Sequence, residues 1–286
     1  MIKLKNKYLN VRISEVGAEI KSIKLCGHEQ MWQGEKESWQ RTAPTLFPFC
    51  GRLRDGRYRI GDTEYECMPH GFAKDAEFTV VSQNKRCAVL KIAADEETKK
   101  IYPFDFEFTV TFTLLRKSIT VKYNIKNKGK ETMYFSCGSH ESYLCDGGMQ
   151  NYELLFDHRE SLENSVVDEN GLISGKTRRI TCFSKTLALY EDYLKDDSLV
   201  FRNMVSRKVV LRNIRDGRRV KIEFPGFDNF VIWSLPGKDY VCLEPWAGLP
   251  DFADFDGELK DKKGILKLRG RSQKTLMHKI TFMPSL

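Results

Sequence analysis

Apolar side chains recur at every second position along much of this chain. The runs FTVVS (78–82), AVLKIA (88–93), FEFTVTFTL (106–114), SITVKYNIK (118–126), KTLALY (185–190), KVVLRNI (208–214), RVKIEF (219–224), FVIWSL (230–235), YVCLEPW (240–246) and HKITFM (278–283) predict strands, each rich in β-branched and aromatic residues. No long segment sustains the three-and-four spacing of an amphipathic helix. Turn formers separate the runs: Arg54-Asp55-Gly56, Ile60-Gly61-Asp62, Arg215-Asp216-Gly217 and Pro236-Gly237-Lys238. There is no Ser/Gly-rich linker, low-complexity tract or repeat of 20 to 50 residues. The pattern therefore predicts an all-β fold, one large antiparallel β-sandwich forming a single domain over residues 1–286.

Composition narrows the setting. At 41% hydrophobic and 30% charged residues the balance is that of a soluble globular protein. MIKLKNKYLN alternates charge with apolar side chains, unlike a secretory leader, and no apolar run has the length of a membrane span, so a cytoplasmic protein with no membrane partner is expected. Eight cysteines are scattered without a C-x-x-C, which predicts reduced and mostly buried thiols. No Cys or His pair has the short spacing of a zinc site, and no metal is expected. The net charge of +8 gathers in RLRDGRYR (52–59), SRKVVLRNIRDGRRVK (206–221) and KDKKGILKLRGR (260–271). Each cluster interleaves its basic residues with strand-like apolar ones or turn formers, as the wet face of a sheet does; anion binding is the alternative reading, and a nucleic-acid partner is not expected.

Four polar residues stand where an exposed strand face would not need them. His70 lies between Pro69 and Gly71 in CMPHGFAKD (67–75), a stiff seat for an imidazole that either caps a turn or serves a site. His140 follows a strand-like run and a glycine in FSCGSHE (135–141). Glu244 sits in apolar, aromatic YVCLEPW, where Pro245 is expected to end the ladder. A carboxyl so placed would be desolvated, its pKa raised toward that of a general base, unless it pairs with an arginine for structure. Arg52, preceded by FPFCG, could turn its donor fork into a pocket, whereas Arg54 and Arg57 read as surface charges. Trp32, Trp39, Phe47, Phe49, Phe72, Tyr143, Trp233 and Trp246 lie near these residues in sequence. Rings beside a few polar groups suit a sugar, although each ring taken singly serves a core equally well.

In order, GAEIKSIKL (17–25), EQMWQ (29–33), Trp39 through APTLFPFCGRL (43–53), HGFAK (70–74), YPFDF (102–106), GSHESY (138–143), FVIWS (230–234) and CLEPWAG (242–248) resemble the aldose 1-epimerase, or galactose mutarotase-like, family and its LacX-type branch. The resemblance covers nearly the whole chain. It implies an antiparallel β-sandwich with a sugar site on one concave face, Glu244 as catalytic base, His140 as general acid, and His70 and Arg52 as ligands that orient the sugar. It also implies an aspartate that holds sugar hydroxyls, for which Asp197 is the match; among the rings read above, Trp233 is expected to bind the sugar. The implied reaction exchanges α and β anomers and needs no cofactor. The branch usually reads Gly-x-His-Pro, whereas Glu141 follows the histidine here. That carboxyl either raises the pKa of His140 or points away to solvent, since neighbouring strand residues face opposite sides. Two other functions fit the same residues: a hexose 6-phosphate 1-epimerase, suggested by the positive charge, and a sugar-binding protein without turnover. Whether the chain is a monomer or a homodimer is left open by the sequence.

Overall fold

In the computed structural model, which describes residues 1–194 and 197–285, the alternating runs become two large antiparallel sheets packed face to face. One has nine strands in the order Ser184–Ala188, Tyr152–Glu160, Lys208–Asn213, Arg219–Glu223, Gln273–Met283, Ser118–Asn127, Phe106–Leu115, Cys87–Ala93 and Thr79–Gln83. The other runs Ile173–Arg179, Glu163–Val167, Leu199–Phe201, Asn229–Trp233, Tyr240–Ala247, Cys137–Ser139 and Thr45–Leu46, with Glu141–Leu144 also pairing on Tyr240–Ala247. A four-stranded sheet from Ile2 to Glu29 and two hairpin-sized pairs complete the β-structure. The α-helix Glu96–Ile101 is six residues long and is started by a reciprocal cap between Asp95 and Thr98. Among the described residues no helix is long and apolar enough to cross a membrane.

The period-2 pattern works as expected where one face is wet. Phe106, Phe108, Val110, Phe112 and Leu114 are buried while Thr113 and Leu115 are exposed, and the paired strand Ser118–Asn127 supplies Ile119, Val121, Tyr123 and Ile125. The basic run at 206–221 is the wet face predicted from sequence: Lys208 pairs with Asp157, Arg212 with Glu153, and Arg218 with Asp146 and Asp216. Lys262 is an exception in the third basic cluster. It is 4% exposed and donates to Asp251 Oδ1 at 2.6 Å, a buried pair rather than a solvated charge. Of the eight cysteines, Cys26 and Cys182 are exposed, Cys87 is half-buried, the other five are buried, and all are free thiols.

The segment that leads to Arg52 is anchored by Phe47, fully buried among the rings of Phe72, Tyr102, Phe106, Phe108 and Phe135 at centroid distances of 4.5 to 6.2 Å. Its carbonyl accepts from the backbone N–H of Ala73, so the same residue ties the loop of His70 to the core. Phe47→Ala would leave a cavity at this junction and is expected to lower unfolding free energy by about 3–5 kcal/mol, read from the denaturant midpoint. A loss below about 1 kcal/mol would mean that the two segments are held by something else.

Candidate active site

The strand Tyr240–Ala247 is buried at all eight positions. Val241, Leu243 and Ala247 face the main core, while Tyr240, Cys242, Glu244 and Trp246 face the opposite side of the sheet. Its ladder to the neighbouring segment, residues 137–144, is interrupted. Gly138 pairs with Trp246 and Glu141 with Leu243, which sets His140 opposite Glu244 in the gap. Pro245 has no N–H to give, and the carbonyl of Ser139, which stands opposite it, accepts from Trp246 Nε1 at 3.2 Å instead. The expectation that Pro245 ends the strand is therefore corrected: pairing resumes beyond it to Ala247, since the proline removes one ladder bond and the indole replaces it.

His140 Nδ1 and Glu244 Oε1 are 3.4 Å apart, with the residues 8% and 1% exposed. Glu244 Oε2 has no hydrogen-bond partner. Burial pushes the Glu244 carboxyl well above its ordinary range, helped by the charge of Glu141 and, to a smaller extent, of Asp197. Burial likewise pulls His140 well below the ordinary imidazole value, with the neighbouring His70 and the charge of Arg41 adding to it. The two shifts act in the same sense, each favouring the neutral form of its group.

His70 is brought beside this pair, its ring centroid 5.5 Å from that of His140 and 5.6 Å from that of Trp246. Both readings of its tripeptide are met together, because the imidazole caps backbone and faces the site. Its N–H donates to the carbonyl of Gly51 at 2.8 Å, and the N–H of Gly51 donates back to Nδ1 at 3.1 Å. Burial and the nearby charges of Lys74, Arg52 and Arg41 bring its pKa down to about 3, so the ring is neutral and its proton sits on Nε2. The seat requires Gly71: at φ 73° a Cβ there would lie 2.3 Å from the carbonyl oxygen of Phe47.

Trp39 stacks on His140 with centroids 5.0 Å apart and meets Trp233 edge to face at 5.4 Å, and Trp233 in turn lies 5.6 Å from His140. Trp32 Nε1 donates to the Trp39 carbonyl at 3.0 Å, and Lys238 pairs with Glu35 across the mouth of the loop. Phe47 and Phe49 belong to the core instead, and so does Tyr143. Arg52 lies against Gly171, and its charge acts on both His70 and Asp197. Among the described residues no carboxylate comes within 4.0 Å of its guanidinium, in contrast to Arg54 and Arg57, which have exposed carboxylate partners. A cleft of about 840 Å³ opens at this flank, lined by Arg52, Met68, Pro69, Phe72, Asn170 and Leu172. Burial raises the Asp197 pKa while Arg52 opposes the shift. All six residues singled out in the sequence thus fall in one neighbourhood.

Two features escaped the sequence reading. Cys242 is on the same strand face as Glu244, and its donor atom lies within 4.8 Å of those of His140 and Glu244. Burial raises the pKa of both that thiol and the Glu244 carboxyl, which favours their protonated forms. Glu141 was expected to touch His140 or to meet solvent. It does turn to the opposite face, but that face is the core, and Glu141 is 2% exposed with His278 as its partner.

This sandwich and this site define a class. The family model for aldose 1-epimerase matches residues 1–267, and the chain belongs to the aldose 1-epimerase family. It is 32% identical over 283 residues to the chromosomal LacX protein of Lactococcus lactis subsp. lactis, covering 93% of this chain and 94% of that one. Among solved structures, the galactose mutarotase related enzyme of Lactobacillus acidophilus matches with a TM-score of 0.93 at 30% identity, over 99% of this chain and 97% of that one. A galactose mutarotase-like protein of Lactobacillus casei ATCC 334 matches with a TM-score of 0.94 at 26% identity, over 99% of this chain and all of that one.

The burial of Glu244 has a consequence for stability. An unfolded glutamate ionises near 4.5, whereas folded Glu244 keeps its proton to higher pH, so stability falls as pH rises from 4.5 toward the folded value. Glu244→Gln removes that loss. The variant is expected to resist denaturant better than the parent at about pH 8, with a smaller difference at about pH 4. Equal midpoints at both would show that folding does not raise the Glu244 pKa.

Proposed function

We propose that the protein is an enzyme that interconverts the α and β anomers of an aldose. The observation that carries this reading is the isolated acid/base pair, His140 and Glu244 at 3.4 Å, in a dry setting beside a neutral imidazole and two indoles. Mutarotation requires one proton to leave the C1 hydroxyl and one to reach the ring oxygen. A pair that shares one proton suits that exchange, because no net charge has to enter or leave the site.

In the productive form the shared proton has moved to His140. Glu244 takes the proton from the C1 hydroxyl while His140 gives its proton to the ring oxygen, and the bond between C1 and the ring oxygen breaks to leave the free aldehyde. Rotation about C1–C2 presents the other face of the carbonyl, and reversal of both transfers closes the ring as the other anomer. His70 would donate from Nε2 to a sugar oxygen, and Arg52 and Asp197 would hold hydroxyls farther along the ring. Trp233 and Trp39 would stack on its C–H faces.

Positioned acids and bases each contribute roughly 10² to 10⁴ in rate. Glu244→Gln, which keeps the size of the side chain, is expected to lower kcat/KM for anomer exchange by at least about 10². Exchange at the parent rate would remove Glu244 from the chemistry, and sugar binding without exchange by the parent would make the protein a binder.

One observation favours a second reading, a hexose 6-phosphate as substrate. Arg52 borders an open cleft with no carboxylate partner among the described residues, and a guanidinium suits a phosphate. On that reading Arg52→Gln raises KM for glucose 6-phosphate at least tenfold more than for glucose, about 1.4 kcal/mol, and added salt weakens only the phosphorylated substrate. Equal effects on both sugars would restrict Arg52 to the sugar hydroxyls.

A further inference from the structure

Directly behind the acid/base pair lies a second buried acid and imidazole that the reaction does not touch. Glu141 follows His140 in sequence and turns to the other face of the sheet, into the layer between the two large sheets. His278 comes to meet it from the middle of Gln273–Met283, in the facing sheet, with no exposed surface at all. The contact between His278 Nε2 and Glu141 Oε1 is 2.7 Å. Tyr123 stacks on the imidazole at 5.8 Å and Phe227 meets it edge-on at 6.3 Å. The remaining polar atoms, Glu141 Oε2 and His278 Nδ1, have no hydrogen-bond partner.

Such a pair is a poor way to hold two sheets together. Burying two ionisable groups carries a desolvation penalty, and apolar side chains of the same volume generally serve a core as well or better. Its position is more informative than its stability. Glu141 pairs across the ladder with Leu243, the residue before Glu244, so its carboxyl lies one strand and one residue from the proposed base, on the reverse of the sheet.

We propose that Glu141 and His278 are positioning residues for the acid/base site: they pin the strand that follows His140 to the facing sheet and set a carboxylate behind Glu244, so that the catalytic pair retains its one proton. The inference rests on the acid/base reading of His140 and Glu244. The carboxyl of the dyad lies on the sheet that bears the site, and the imidazole on the facing one. After burial, the charge of Glu141 is the largest influence raising the pKa of Glu244. The other groups facing these carboxyls leave them this role. Tyr123 and Tyr143 around Glu141, and Cys242 and Cys50 around Glu244, are all held neutral by burial. Asp197 and His140 also face Glu244, and the influence of Asp197 is the smaller of the two carboxylates.

Glu141→Gln tests this because an amide can keep a hydrogen bond to His278 while losing the charge. The catalytic pair should then give up its shared proton more readily. In the pH profile of kcat/KM for anomer exchange, the limb at which activity is lost on the alkaline side is expected to move to lower pH, with KM little changed. A measurement without turnover runs alongside: the Glu244 carboxyl, assigned in glutamate-labelled protein through Glu244→Gln, is titrated by ¹³C NMR, and its midpoint is expected to fall in Glu141→Gln. A folded Glu141→Gln in which neither the limb nor the midpoint moves would overturn the proposal, and so would a loss of stability alone. If Glu141→Gln does not fold, His278→Gln gives the same two readouts, because it removes the partner that holds the Glu141 carboxyl in place. A parent that exchanges no sugar would undo the enzymatic reading, while the carboxyl titration still decides the dyad.

Discussion

The constraint on which the rest depends is the burial of Tyr240–Ala247 on both faces of its sheet. One face completes the hydrophobic layer between the sheets, and the other places Glu244 where water does not reach. Because the strand is fixed from both sides, the carboxyl cannot swing out to be hydrated, and its proton affinity follows from its surroundings rather than from its own chemistry. Pro245 is part of that constraint. By opening the ladder opposite Ser139 and His140 it makes the gap that the acid/base pair occupies, and the Trp246 indole satisfies the carbonyl left behind.

Around this strand the molecule gives up stability in a consistent way. A desolvated carboxyl, a desolvated imidazole and an orphaned oxygen atom each oppose folding, and all three lie at the site. The large aromatic core around Phe47, Phe108 and Tyr102 lies next to the loop that carries His70 and the segment that carries Arg52, and it offsets such losses where they occur. The same logic reaches through the sheet to Glu141 and His278, a second polar couple in a layer otherwise filled by hydrocarbon. Membership in the aldose 1-epimerase family agrees with a site of this kind; the sugar and its turnover are matters for measurement.

Much of this was legible in the chain, and the exceptions have physical causes. Phe106–Leu115 and Ser118–Asn127 alternate cleanly because one face of each is wet, and they were read nearly to the residue. Tyr240–Ala247 is apolar throughout, so periodicity says little there, and the lone acid in the run was the useful signal. The N-terminal strands Ile2–Lys5 and Leu9–Ile13 alternate but span only four and five residues, and Ile173–Arg179 is mostly polar. Arg52, His70, His140 and Glu244 were legible as candidates from their local context and Asp197 from the resemblance, and the structure brings them and Trp233 into one neighbourhood. Glu141 with His278 could not have been found in that way. They are 137 positions apart, and only the packing of one sheet on another brings them together.

The most direct test is anomer exchange itself, followed by NMR exchange spectroscopy on glucose and galactose with the parent protein at low buffer concentration and across pH. The account predicts exchange faster than in buffer alone, with the acid limb below the ordinary imidazole value because burial lowers the His140 pKa. Exchange indistinguishable from buffer at every pH, for both sugars and their 6-phosphates and with the protein folded, would contradict it.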